Sequence, residues 1–178
     1  MKTIFIILFF VNAIGISQGK YITKTGTINF EASVPSFEEV AAKNNSVTAI
    51  INTENGEIAV LALINGFRFK NALMEEHFNE NYAESSKYPK AHFQGMIENY
   101  SIESGNTDYI LHGSLTFHGV TKSVESIPIT VNKIGDKIIL KGELMAKASD
   151  YKIEIPKIVR NKVSDEVSIS FEFSLQKK

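Results

Sequence analysis

Val167-Ser168-Ile169-Ser170-Phe171-Glu172-Phe173-Ser174-Leu175-Gln176 alternates an apolar with a polar side chain along its whole length. A period of two places one set of side chains on a buried face and the other in water, which is the pattern of a half-buried strand. The same period runs back through the chain. Tyr109 to Phe117 puts Tyr109, Leu111, Leu115 and Phe117 on one side and Ile110, His112, Ser114 and Thr116 on the other. Ile127, Ile129 and Val131 mark a further strand, and Ile138, Leu140, Leu144 and Ala146 mark the next. Between those two, Asn132-Lys133-Ile134-Gly135-Asp136 offers a glycine for a turn that needs positive φ. Gly26–Ala32, Val47–Thr53, Ile58–Ile64 and Phe93–Tyr100 complete the set, and Lys152–Ile155 reads as a short strand ended by Pro156. Asn55-Gly56 is a hairpin signal that pairs Val47–Thr53 with Ile58–Ile64 antiparallel.

One stretch breaks the period. Leu73-Met74-Glu75-Glu76-His77-Phe78-Asn79-Glu80-Asn81-Tyr82 spaces Met74, His77 and Phe78 by three and four residues, so they share a face of a short helix. A lone amphipathic helix among strands needs an apolar surface to cover, and the mouth of a barrel supplies one. Ile58-Ala59-Val60-Leu61-Ala62-Leu63-Ile64 is apolar on both faces and predicts a strand covered on both sides, with Leu61 and Leu63 as candidates for a lumen. About eight antiparallel strands fit either a closed barrel or a sandwich, and periodicity alone does not choose.

Met1-Lys2-Thr3 gives a short positive end, Ile4 to Ile16 is apolar apart from Asn12 and Gly15, and small residues follow at Ser17 and Gly19. This is the layout of a secretory signal peptide over residues 1–19, cleaved after Ser17 or after Gly19, and the apolar run is too short to span a bilayer. The expected mature chain, residues 20–178, is then a single domain in the periplasm or outside the cell, with no transmembrane segment. With 19 basic and 20 acidic residues and no basic cluster, nucleic acid is not an expected partner. The absence of cysteine excludes disulfides, thiolate metal sites and a lipid attached through a thiol.

Two blocks carry a resemblance. Leu73 to Tyr82 followed by Glu84-Ser85-Ser86-Lys87-Tyr88-Pro89-Lys90-Ala91-His92-Phe93 resembles the central block of the YceI-like family of secreted lipid-binding and polyisoprenoid-binding proteins. Gly113-Ser114-Leu115-Thr116-Phe117-His118-Gly119-Val120-Thr121-Lys122 resembles that family's Gly-x-Leu-Thr-x-His-Gly-Val-Thr-Lys signature, and Asp165-Glu166-Val167 its closing strand. The resemblance covers about Gly26 to Leu175. It departs where better-known members carry an Arg-Asp-Phe-Gly-like stretch, since this chain has Ser149-Asp150-Tyr151-Lys152-Ile153. The resemblance implies an all-β, lipocalin-like antiparallel β-barrel of about eight strands with one short helix, whose lumen takes the tail of an amphiphilic lipid, an isoprenoid or a fatty chain. A tail left partly outside such a lumen invites a homodimer.

Binding of this kind needs apolar lining and no reactive group. The candidate lumen residues are Leu61, Leu63, Phe67, Phe69, Met74, His77, Phe78, Phe93, Leu115, Phe117, Phe171 and Phe173. Phe67-Arg68-Phe69 sends both rings to one side and Arg68 to the other. His77 has no second histidine four residues away, so the helix carries no zinc motif, and no metal or other cofactor is expected. His92 and His112 fall on polar faces, whereas His118-Gly119 reads as a turn in which the imidazole holds local backbone groups and Gly119 supplies positive φ. No nucleophile elbow, phosphate-cradling loop or paired carboxylate is present, and Glu75 and Glu76 diverge on a helix, so no catalytic residue is assigned and an enzyme is not expected. The competing reading is a solid-core β-sandwich that acts as an interaction module of the cell envelope, followed by a hydrolase.

Overall fold

The computed structural model describes residues 19–35, 37–102 and 105–178. The proposed signal peptide therefore lies almost wholly outside the described residues. Nine strands follow in order: β1 (Lys20–Ser33), β2 (Ala41–Asn52), β3 (Glu57–Leu63), β4 (Arg68–Phe69), β5 (Lys90–Ile97), β6 (Gly105–Phe117), β7 (Val120–Ile134), β8 (Lys137–Lys147) and β9 (Val163–Lys177). Every pairing is antiparallel, in the order β1-β9-β8-β7-β6-β5-β3-β2, and β1 pairs β2 to close the ring. That last pairing separates a closed eight-strand barrel from a sandwich, because a sandwich leaves edges and these eight strands close into a ring. β4 is a two-residue addition beside the start of β2, where Ala42 faces Phe69.

Tight turns set the register. Gly135 and Asp136 join β7 to β8 with Ile134 opposite Lys137, and Gly56, at φ 75°, ends the turn into β3. His118 and Gly119 connect β6 to β7 with φ of 49° and 73°, so Phe117 directly faces Val120. Two positive φ values in a two-residue loop match the twist of the flanking strands.

The expected helix is present. Asn71 caps it, its side-chain oxygen accepting from the Leu73 amide at 2.9 Å and from the Met74 amide at 3.4 Å. α1 (Ala72–His77) runs straight into a π-helical turn over Phe78–Tyr82, closed by the Ala83 amide donating to the Phe78 carbonyl at 2.7 Å. The expected strand at Lys152–Ile155 is not formed. A 3₁₀ turn over Ala148–Tyr151 is followed by Lys152 at φ 60°, which turns the backbone out of extended geometry, and Tyr151, Ile153 and Ile155 are buried individually without pairing to a neighbour.

The barrel interior is unevenly filled. At the end where β1 starts and β9 finishes, Val47, Ile51, Ile97, Ile138, Leu140 and Leu175 are fully buried and pack into one core. The other end, where β9 starts and the helix lies, is hollow.

Candidate functional site

Phenylalanines form both the mouth and the floor of the hollow end. Phe67 and Phe69 alternate as expected and send their rings to the same side. They meet Phe78 of the helical segment at 6.1 and 5.2 Å between ring centroids, and Phe30 of β1 completes the group at 5.3 to 5.7 Å from all three. These tilted and edge-on separations are favourable for aromatic quadrupoles. Arg68 faces away from the rings and donates to Glu75 at 3.1 Å, while the second Glu75 oxygen accepts from the Phe69 amide. The helix is thus fastened to β4 by its own first turn.

The floor is built from Phe93, Phe171 and Phe173. Phe171 and Phe173 are stacked, 5.3 Å apart and 18° from parallel. Each floor ring lies over a strand glycine. A Cβ on Gly113 would sit 2.4 Å from the tip of the Phe93 ring, one on Gly142 would sit 2.6 Å from Phe171, and one on Gly26 would sit 2.6 Å from Phe173. Glycine inside a strand weakens the strand, and here it lets a ring lie flush against the wall.

Between mouth and floor is a cavity of about 400 Å³ with a predominantly apolar lining. Its polar members, Glu38, His77, Lys147, Lys162 and Ser164, come from loops, the helix and strand ends. Phe67, Phe69, Met74, His77, Phe78, Phe93, Leu115, Phe117, Phe171 and Phe173 all line it. Leu61 and Leu63 do not. On β3 it is Val60 and Ala62 that face inward, and Leu61 and Leu63 sit on the outer wall at 38% and 45% exposure. The strand is apolar on both faces, but the helix covers the barrel mouth and leaves this outer face uncovered. The sequence reading missed Ile28 and Phe30 on β1, although period two within Gly26–Ala32 selects them together. It also missed Tyr151, Ile153 and Ile155, which wall the cavity from an irregular segment without a periodic signal.

That segment is held by His118. Its side chain is 10% exposed, with Nδ1 2.9 Å from the Tyr151 carbonyl and Nε2 2.7 Å from the Glu84 carboxylate. Both ring nitrogens are engaged, and the imidazole ties the β6–β7 turn to the wall segment and to the loop after the helix. The backbone group it holds is 33 residues away in sequence, where a local contact was expected. Tyr88 packs edge-on to the imidazole at 4.5 Å. Burial pushes the Tyr151 phenol above its ordinary range, with Asp150 adding to the shift.

A larger depression of about 1250 Å³ lies on the outer wall across β6 to β9 and onto β1 and β2. Charged side chains including Lys43, Glu98, Asp108 and Glu143 line it, and Lys141 and Glu172 pair across it at 3.0 Å. Of the two, the interior cavity is the more enclosed and the more apolar. Among the described residues, no group of three or more His, Asp or Glu side chains has an arrangement that could hold a metal ion, and no helix is long and apolar enough to cross a membrane.

Comparison with known proteins agrees with this geometry. A family model described as the YceI-like domain matches residues 20–175. Among solved structures, a polyisoprenoid-binding domain from Saccharophagus degradans implicated in plant cell wall breakdown superposes with a TM-score of 0.76 at 17% identity, over 90% of this chain and 99% of that one. Burkholderia cenocepacia BcnA gives 0.70 at 19% identity over 85% and 96% of the two chains. A Campylobacter jejuni YceI protein gives 0.66 at 18% identity over 82% and 89%. No curated protein matches by sequence. At these identities the structural likeness establishes the fold alone.

Proposed function

The chain belongs to the YceI-like domain family, and from that premise we propose that it is an exported, non-enzymatic binding protein that holds the tail of an amphiphilic lipid, an isoprenoid or a fatty chain, inside its barrel. The observation that carries the reading is the cavity itself, about 400 Å³ lined almost entirely by apolar side chains, with polar ones supplied by the loops, the helix and the strand ends. Such a site gains by excluding water from a tail. Each methylene buried is worth about 0.8 kcal/mol, so a dozen give roughly 10 kcal/mol, comparable to the cost of association. The aromatic group around Phe78 places rigid, pre-packed surface where the tail enters, which reduces the ordering cost on binding.

Organic extraction of the protein purified from its native host, followed by mass spectrometry, tests the proposal. A stoichiometric lipid, or saturable uptake of added isoprenoid or fatty chain by the extracted protein, is expected. A folded protein that yields no lipid and takes up neither chain would sink it. Replacing Phe69 and Phe78 together by alanine should lower lipid content in a protein that remains folded. Export is part of the same reading and is supported by the layout of residues 1–19 and by the start of β1 at Lys20. Amino-terminal sequencing of the exported protein should find Gln18 or Lys20 first, and an intact Met1 in the cell interior would count against export.

A further inference from the structure

We infer that the cavity encloses a chain of about fifteen carbons, so that the ligand is an amphiphile with a chain of three isoprene units or a fatty chain of similar length, and a long polyisoprenoid is not enclosed along its whole length. The inference rests on the lipid-binding reading above and narrows it.

Three observations carry it. The first is volume: about 400 Å³ lies near the low end of the roughly 300–1,000 Å³ range of ligand cavities, which suits a chain of roughly fifteen carbons and not a long polyprenyl tail. The second is what lies below the floor. Leu111 and Ile127 close the floor beside the rings, and Val47, Ile51, Ile97, Ile138, Leu140 and Leu175, all fully buried, fill the rest of the barrel, so the lumen does not continue past this level. The third is that the floor has nowhere to retreat. Phe93, Phe171 and Phe173 already lie flush on glycine backbone, and Phe171 and Phe173 are stacked on each other. A ring packed over a side chain could swing toward the wall to lengthen the cavity. A ring packed over glycine has used that space, and lowering it further means moving a strand.

The experiment is competitive displacement of an anthroyloxy-labelled fatty acid from solvent-extracted protein by two unlabelled series. One is saturated fatty acids from about eight to about twenty-two carbons, and the other is prenyl alcohols of roughly two, three, four and eight isoprene units. Affinity should rise about threefold to fourfold per methylene up to about fifteen carbons and then level to within about twofold. Comparing the two series at equal length shows which kind of chain fits the bore. Phe171→Ala removes a floor ring and should move the break about three or four carbons longer. Ala146→Phe adds a ring to the wall nearer the mouth, tests the same limit without touching the floor, and should move the break shorter. Affinity that keeps climbing beyond about twenty carbons, or a break that neither variant moves, overturns the length limit and leaves lipid binding intact. No displacement by any chain, from protein that is folded and binds the labelled probe only non-saturably, overturns the lipid-binding reading itself.

Discussion

Two side chains at opposite ends of the barrel show how single residues contribute here. Tyr100 lies at the packed end, against Tyr109 at 5.6 Å, and its hydroxyl is buried without a hydrogen-bond partner among the described residues. Burial, with lesser contributions from Tyr109 and Tyr21, pushes its phenol up to about 12 from an ordinary 10. A folded-state value above the unfolded one means that the neutral phenol's contribution is fully present below pH 10 and is lost as pH rises through 12. Tyr100→Phe should therefore be stabilising by about 1 kcal/mol at neutral pH, because it removes an unsatisfied hydroxyl. It should also flatten the fall in stability between pH 10 and 12, as measured by urea unfolding across that range. At the hollow end, His118 is fully engaged. His118→Ala deletes both of its hydrogen bonds, one of them to a carboxylate, and should cost about 1–3 kcal/mol. Amide exchange over Ala148–Ile155 should rise more than exchange in the neighbouring strands. A uniform rise would show that the histidine does not hold this segment.

Elements rest on the same logic of local fit. Gly113 opposes Gly95 between β6 and β5, and a Cβ at Gly113 would meet the Gln94 carbonyl oxygen as well as the Phe93 ring at 2.4 Å. Backbone does not yield as a flexible side chain does, so Gly113→Ala should cost about 1–3 kcal/mol in thermal or urea unfolding. A neutral result would mean that the strand pair shifts freely. The helix depends on Asn71, and Asn71→Ala should cost about 1 kcal/mol, read in the same assays. The elements differed in how well they could be read from sequence. Strands β6 and β9 and the helix were legible because each buries one face with a fixed period. The segment from Ala148 to Ile155 was not, since Lys152 takes a left-handed conformation that no periodicity encodes, and its apolar spacing mimics a strand. Ten of the twelve candidate lumen residues line the cavity, because strand alternation and helix spacing both point inward there. Leu61 and Leu63 were misassigned for a simple reason: on a strand apolar on both faces, the pattern carries no information about which face is inside.

At the scale of the molecule, closure of the sheet could not be read from composition or period. It depends on β1 meeting β2 as well as β9, two pairings that a sandwich of the same strands would divide differently. The resemblance of the two sequence blocks supplied what periodicity left open. The division into a packed and a hollow end predicts how the protein would respond to the proposed lipid. Removing bound lipid by solvent extraction should lower Tm, and added chain at a hundred times its Kd should restore about 2.7 kcal/mol. Exchange protection should change at the helix and around the cavity while Ile138 and Leu140 stay protected. Equal loosening of both ends would show that they are one cooperative unit. The same division also orients the chain. Tyr21 is directly opposite Lys177 in the β1–β9 pairing, and the Lys178 amide donates to the Lys20 carbonyl at 3.0 Å, so both ends of the domain meet at the packed pole. A tether, reporter or surface anchor attached at either end would leave the open pole facing outward, and a short linker joining the two ends would allow the chain to be cut and circularly permuted elsewhere.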